Sequence, residues 1–205
     1  MVRRAVVPQA RPYHHGDLRR ALLGAAVAAL GERGPAALSL REVARRVGVS
    51  HAAPTHHFGD KRGLLTAVAE EGYRLLAAEL RAAWERTGSF LEVGVAYVRF
   101  ALQRRAHFEV MFRPELYHSQ EPALLAAKKA AADLLYGPAA SLSGDGAAGD
   151  PQAAGLAAWS LVHGLATLWL NGNLPAGVAR DDPEAVTRVV ARHLFAPPPG
   201  DWTRS

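Results

Sequence analysis

Apolar positions recur at helical spacing along most of this chain, and the pattern predicts an all-α protein. Leu18, Leu22, Ala25, Ala26 and Ala29 share one face of a first helix that starts near His15 to Asp17 and is stopped by Gly31, Gly34 and Pro35. Leu40, Val43, Ala44 and Val47 then fall at i, i+3, i+4 and i+7, leaving Arg41, Arg45 and Arg46 on the other side. Ser39 and Glu42 precede that run with the spacing of a capping box, in which hydroxyl and carboxylate each satisfy an amide of the first turn. Gly48 supplies a left-handed exit, Val49 an apolar plug, and Ser50 a cap for the next helix. That helix, residues 51–58, is polar where a core helix would be apolar: His51, Thr55, His56 and His57 alternate with two alanines and Pro54, and Phe58 anchors its end. Two short helices joined by a glycine turn make a helix-turn-helix, and small or donor side chains on the second suit close approach to base edges.

After a break at Gly59 and an N-cap at Asp60, Lys61 and Arg62 open a long helix carrying Leu64, Leu65, Val68, Leu75, Leu76 and Leu80 to about Glu85. A Gly88-Ser89 break leads to a helix with Phe90, Leu91, Val95, Val98 and Leu102 as its apolar set, closed by Arg104 and Arg105. The segment 107–112, His-Phe-Glu-Val-Met-Phe, reads as core or as the wall of a cavity. Residues 122–136 form a further amphipathic helix, and 137–151 is a Gly/Ala/Ser-rich flexible loop. In the helix 152–170, Leu156, Trp159, His163, Ala166 and Leu170 are spaced 3, 4, 3 and 4, a seam for another helix, while Leu161, Leu165, Leu168 and Trp169 supply a second face. Asp182 and Pro183 cap a last helix whose apolar side is Val186, Val189, Val190 and Leu194.

Charge changes the picture by its placement. Residues 1–62 hold 11 Lys or Arg against 4 Asp or Glu, a balance of +7, and residues 63–205 hold 13 against 15, a balance of −2. The excess positive charge lies with the helix-turn-helix and suggests a polyanion partner, nucleic acid ahead of an anionic membrane. No cysteine is present, so disulfides and thiolate chemistry are excluded. No apolar run is expected to span a membrane and the N-terminus does not read as a signal peptide, so a cytoplasmic location is expected. Five of nine histidines lie in the first 57 residues, but adjacent His56 and His57 point about 100° apart on a helix and no H-E-x-x-H set is formed, so no metal site is expected. Partial protonation of these histidines would strengthen DNA binding as pH falls toward about 6. No nucleophile motif occurs, and neither an enzyme nor a cofactor is expected.

From Leu40 to Leu65 the residues resemble the DNA-binding domain of TetR-type bacterial transcriptional regulators. His57, Phe58, Asp60, Lys61, Leu64 and Leu65 stand where that family carries its aromatic-His-Phe, polar pair, Lys and Leu-Leu signature, and the resemblance runs from about Tyr13 to about Leu76. Thr55 departs from it, because the family usually has a tyrosine there. Trp159 and His163-Gly164 resemble the C-terminal regulatory domain of a Trp-His-Gly subgroup. The resemblance implies a homodimeric repressor on a palindromic double-stranded DNA operator, released by a small apolar effector that shifts the spacing of its two heads. Its expected organisation is a disordered basic arm (1–12), a helix-turn-helix domain (13–62), a connecting helix (63–86), a regulatory and dimerisation domain (87–197) and a tail (198–205). Ser39, Arg41, Ser50, His51, Thr55, His56, His57 and Lys61 would divide between phosphates and bases, with Lys61 on phosphate. Phe100, Met111, Phe112, Trp159 and His163 would line an effector pocket, with His163 read either as a core histidine or as a polar handle for the ligand. Leu156, Trp159, His163, Val186, Val189 and Val190 would meet the second copy. Two other readings remain: a constitutive DNA-binding dimer without effector, and a helical protein-interaction module.

Overall fold

In the computed structural model, residues 15–137, 151–178 and 180–195 are described; the expected arm, most of the glycine-rich loop and the tail lie outside them. The described residues form nine α-helices and one turn of 3-10 helix, and the chain divides into two compact units, residues 1–64 and 65–205.

The first unit holds α1 (His15–Ala37), α2 (Leu40–Val47), α3 (Ala52–Phe58) and the start of α4 (Lys61–Thr87). α1 runs past Gly31 and breaks at Gly34, whose φ of 71° admits no further helical turn; Pro35 restarts one short turn. Its buried face is wider than the sequence stripe: Leu22, Leu23, Ala26, Ala29 and Leu30 are buried, and Leu18 and Ala25 are half-buried. α2 packs Val43 and Ala44 against this face. Leu38 is also buried, one residue before the cap and five before Val43, the arrangement of a hydrophobic staple. Replacing Leu22 or Val43, both fully buried, would remove the apolar contact that holds the three short helices together.

The second unit contains the rest of α4, then α5 (Phe90–Gln103), α6 (Arg105–Met111), the 3-10 turn Pro114–Leu116, α7 (Pro122–Tyr136), α8 (Pro151–Leu170) and α9 (Pro183–Phe195). α5 is its centre. It packs on α6, α8 and α9, and Val93, Val95, Ala96, Tyr97, Val98, Phe100 and Ala101 are all buried, so it is enclosed on most sides rather than along a stripe. At Gly72 of α4 an added Cβ would lie 2.6 Å from Met111 Sδ, so the absence of a side chain permits the close approach of α6. Tyr73 and Tyr117 hydroxyls both donate to the Met111 carbonyl, at 2.9 and 2.8 Å, and satisfy the open end of α6. His107 Nε2 lies 2.9 Å from Glu71 Oε2. Most of the segment 107–112 is therefore core: His107, Phe108, Val110 and Met111 are buried.

One expectation is corrected here. Gln152–Leu170 is a 19-residue helix without a charged side chain, long and apolar enough to cross a membrane by length and composition; in the fold it packs against α5, α7 and α9. In α9 the three valines expected to meet a second copy differ in exposure. Val189 is 59% exposed and Val186 and Val190 are half-buried, whereas Thr187 and Ala191 are buried. Small residues let α9 lie close to α5, and Arg188 clamps the pair by donating to both Glu92 carboxylate oxygens at 2.8 and 2.9 Å. The Leu194 side chain lies outside the described residues.

Candidate nucleic-acid interface and the aromatic cluster

The turn between α2 and α3 is built by backbone chemistry that only one residue type accommodates comfortably. Gly48 has φ 74° and ψ 33°, the left-handed conformation; its N–H donates to Arg45 O, and Val49 N–H donates to Ala44 O at 3.1 Å. At the start of α2 the Ser39 hydroxyl accepts from Glu42 N–H at 3.2 Å, which is half of the expected capping box. The other half is not formed. The Glu42 carboxylate instead accepts from Arg33 (2.9 Å), Arg45 (2.8 Å) and Arg46 (2.9 Å), and Arg46 also donates to Glu32 at 2.8 Å. Three guanidinium groups offer more than one backbone amide, so the carboxylate turns outward. Hydrogen bonds from Arg45, then Arg46, pull the Glu42 pKa down to about 2.

This cluster sorts the arginines of α2. Arg45 and Arg46 are engaged with carboxylates, while exposed Arg41 has no ion pair or hydrogen bond among the described residues. α3 begins one residue later than expected. His51 stands at its N-cap without a side-chain cap bond, and Ser50 contributes its carbonyl to Ala53 N–H at 3.1 Å. His51, Thr55 and His56 are exposed, His57 is half-buried, and Pro54 is the buried residue of the helix. Phe58 is half-buried rather than enclosed, with the Arg19 guanidinium 5.2 Å from its ring centre. Asp60 caps α4 by accepting from Gly63 N–H at 2.7 Å. Lys61 donates to the Ala36 carbonyl at 3.1 Å, tying the start of α4 to the chain just before α2.

One residue of this site is invisible to sequence reasoning. A Cβ on Gly63 would sit 1.9 Å from the Phe58 carbonyl oxygen, so the joint between α3 and α4 closes only around glycine. The Lys-Arg-Gly run is plain in the sequence, but the carbonyl that opposes it is a tertiary fact.

In the second unit the expected pocket residues separate. Phe100 and Met111 are buried to within 1% and fill the core. Phe112, Trp159 and His163 are half-buried and come together, with the His163 ring 4.5 Å from Phe112 and 5.5 Å from Trp159. Phe108 joins them at 5.3 Å from His163, and Tyr97, which the sequence pattern does not single out, lies 2.9 Å from His163 Nδ1 through its hydroxyl. Trp159 Nε1–H donates to the same hydroxyl at 3.2 Å. Burial lowers the His163 pKa and raises that of Tyr97. Trp159 and His163, expected also at the dimer surface, are half-buried with these contacts inside the protomer, and Leu156, Leu168 and Val189 are exposed. A separate apolar recess lies among α5, α7, α8 and α9, lined by Phe90, Gly94, Leu135, Leu161 and Val162 among others. No group of three or more His, Asp or Glu side chains that could hold a metal ion occurs among the described residues.

Comparison with known proteins decides the family. Residues 22–68 match the family described as bacterial regulatory proteins, tetR family, and residues 90–194, just over half of the chain, match the tetracyclin repressor-like C-terminal domain. The chain belongs to the TetR family. The first match covers α2, the turn, α3 and the start of α4, and members of the family are transcriptional regulators rather than enzymes. The HTH-type transcriptional regulator BetI of Brucella anthropi is 38% identical over 69 residues, 34% of this chain and 36% of that protein. BetI of Rhizobium meliloti is 45% identical over 49 residues, 24% of each chain. The matches therefore span about a third or less of these two relatives. Among solved structures, a protein of unknown function from Rhodococcus sp. RHA1 is similar with a TM-score of 0.73 and 36% identity, over 91% of this chain and all of that one. The TetR-family regulator PfmR of Thermus thermophilus, at 22% identity over 85% of this chain and 96% of its own, shares the fold with a TM-score of 0.66.

Proposed function

We propose that this TetR-family protein is a dimeric transcriptional repressor whose α3 helices enter successive major grooves of a partly palindromic operator, and that a small apolar effector lowers its DNA affinity. The observation that carries the DNA reading is the exposed set Arg41, His51, Thr55 and His56 on a capped helix-turn-helix whose other α2 arginines are held by carboxylates. Ser39, Ser50, His57 and Lys61 complete the surface, with Lys61 directed to phosphate. Residues 13–62 form the reading head, 63–86 the connection and 87–197 the regulatory and dimerisation part. Exposed Leu156, Leu168 and Val189, with half-buried Val186 and Val190, form the face offered to a second copy. The effector reading rests on the cluster of Phe112, Trp159 and His163.

Selection of bound sequences from random DNA tests the proposal. A recovered palindrome with half-sites one helical turn apart is the expected outcome, and the absence of any selected sequence overturns it. A constitutive dimer without effector is the second reading, favoured by the filled positions of Phe100 and Met111. A thermal-shift screen separates the two, since a ligand that binds the folded dimer raises its melting temperature.

A further inference from the structure

The aromatic cluster contains one polar donor that no described residue uses. Trp159 Nε1–H donates to Tyr97 Oη at 3.2 Å, and an indole nitrogen has no acceptor capacity. Tyr97 keeps its own proton for another partner. Among the described residues the polar atom placed to take it is His163 Nδ1, at 2.9 Å. The relay Trp159 to Tyr97 to His163 therefore makes Nδ1 an acceptor and puts the ring proton on Nε2. Burial favours the same uncharged ring.

Nε2–H has no hydrogen-bond partner among the described residues, and none of their buried side-chain nitrogens or oxygens is left unsatisfied. Nε2–H is consequently accessible to solvent. Around the His163 ring stand Phe112, Phe108 and Trp159, with ring centres 4.5, 5.3 and 5.5 Å from its own. No ion pair or cation–ring contact reaches these residues among those described. The charges of the neighbouring helices are occupied elsewhere, Glu71 of α4 with His107 and Lys128 of α7 over the rings of Tyr73 and Tyr117. The setting is apolar, aromatic and uncharged, with a single donor held in one tautomer.

We infer that this cluster binds an uncharged, flat apolar molecule bearing one hydrogen-bond acceptor, a carbonyl or ether oxygen, which takes its bond from His163 Nε2–H. This rests on the effector reading above and gives the ligand its chemical class. A hydrocarbon of the same shape leaves the donor unpaired, and a carboxylate meets no counter-charge; both are disfavoured. His163 is thus the specificity-determining residue of the site, and Tyr97 is the positioning residue that orients its ring.

The test uses two probes of one shape, 2-acetylnaphthalene and 2-isopropenylnaphthalene, titrated into the full-length protein by calorimetry. The ketone should bind wild type roughly five- to tenfold more tightly than the hydrocarbon, and His163→Phe should bind both alike. Equal binding of the two probes to wild type, or a ketone preference that survives His163→Phe, overturns the assignment while leaving the effector site standing. Binding of neither probe overturns the effector reading with it. Loss of the dimer in His163→Phe, seen by sedimentation, overturns the assignment as well, because Nε2–H would then serve a subunit contact. NMR of nitrogen-15-labelled histidine in wild type avoids any folding defect of the variant. The Nε2–H tautomer with an Nε2 proton shifted by the ketone alone is the expected result, and an Nδ1–H tautomer or an unshifted proton overturns the inference.

Discussion

Gly63 and Glu42 show how single residues hold the reading head. At Gly63 the obstruction is backbone, the Phe58 carbonyl oxygen 1.9 Å from where a Cβ would be, so relief requires moving the α3–α4 joint. Gly63→Ala should destabilise the first unit by about 2–3 kcal/mol, a cost typical of overpacking, and weaken DNA binding; melting and gel-shift measurements check both effects. Glu42 acts through charge. Its pKa is depressed to about 2 by Arg45 and Arg46 from the ordinary 4.5, so its contribution to folding is complete above pH 4.5 and is lost as pH falls toward 2. Melting temperature followed across that range should fall less steeply in Glu42→Gln than in wild type, because the variant has no carboxylate to protonate. Parallel curves would show that the arginine cluster contributes nothing to stability.

At the scale of elements, α2, the turn and α3 are legible in the sequence because their signals are local. A serine, a glycine and an apolar repeat of 3 and 4 act within one or two turns of helix, and the structure puts each at its place. Less local roles are not legible in this way. The Glu42 carboxylate that leaves the cap for Arg45 and Arg46 is also reached from α1 by Arg33, nine residues earlier. Lys61 holds the Ala36 carbonyl with one of three ammonium donors, leaving two for a phosphate. Lys61→Ala should weaken DNA binding about equally for all sequences and reduce the slope of log affinity against log salt by about 1; an unchanged slope would exclude Lys61 from the phosphate contacts. In α9 the pattern reveals an amphipathic helix, but not that Thr187 and Ala191 are its buried residues or that Arg188 reaches Glu92 of α5.

For the whole molecule, the exposed apolar side chains of α8 and α9 are the feature that calls for a partner. Leu156, Leu168 and Val189 are 51%, 44% and 59% exposed. Val189→Glu should shift sedimentation toward the monomer and reduce operator affinity by more than tenfold, through loss of two-headed binding, while the melting of each protomer changes little. A variant that stays dimeric would place the subunit contact elsewhere.

The sequence by itself determined the helices, the helix-turn-helix with its left-handed glycine, the family, and the segregation of positive charge to one end, because all of these depend on spacing and composition within a few turns of chain. Tertiary structure alone decided which α2 arginines the carboxylates hold, why position 63 must be glycine, that Phe100 and Met111 fill the core while Tyr97 joins His163, and that Thr187 and Ala191 are the buried residues of α9. Each of those depends on groups brought together from separate points of the chain, Tyr97 and His163 being 66 residues apart. A one-dimensional pattern records that a side chain is apolar or polar, but its partner is chosen by packing.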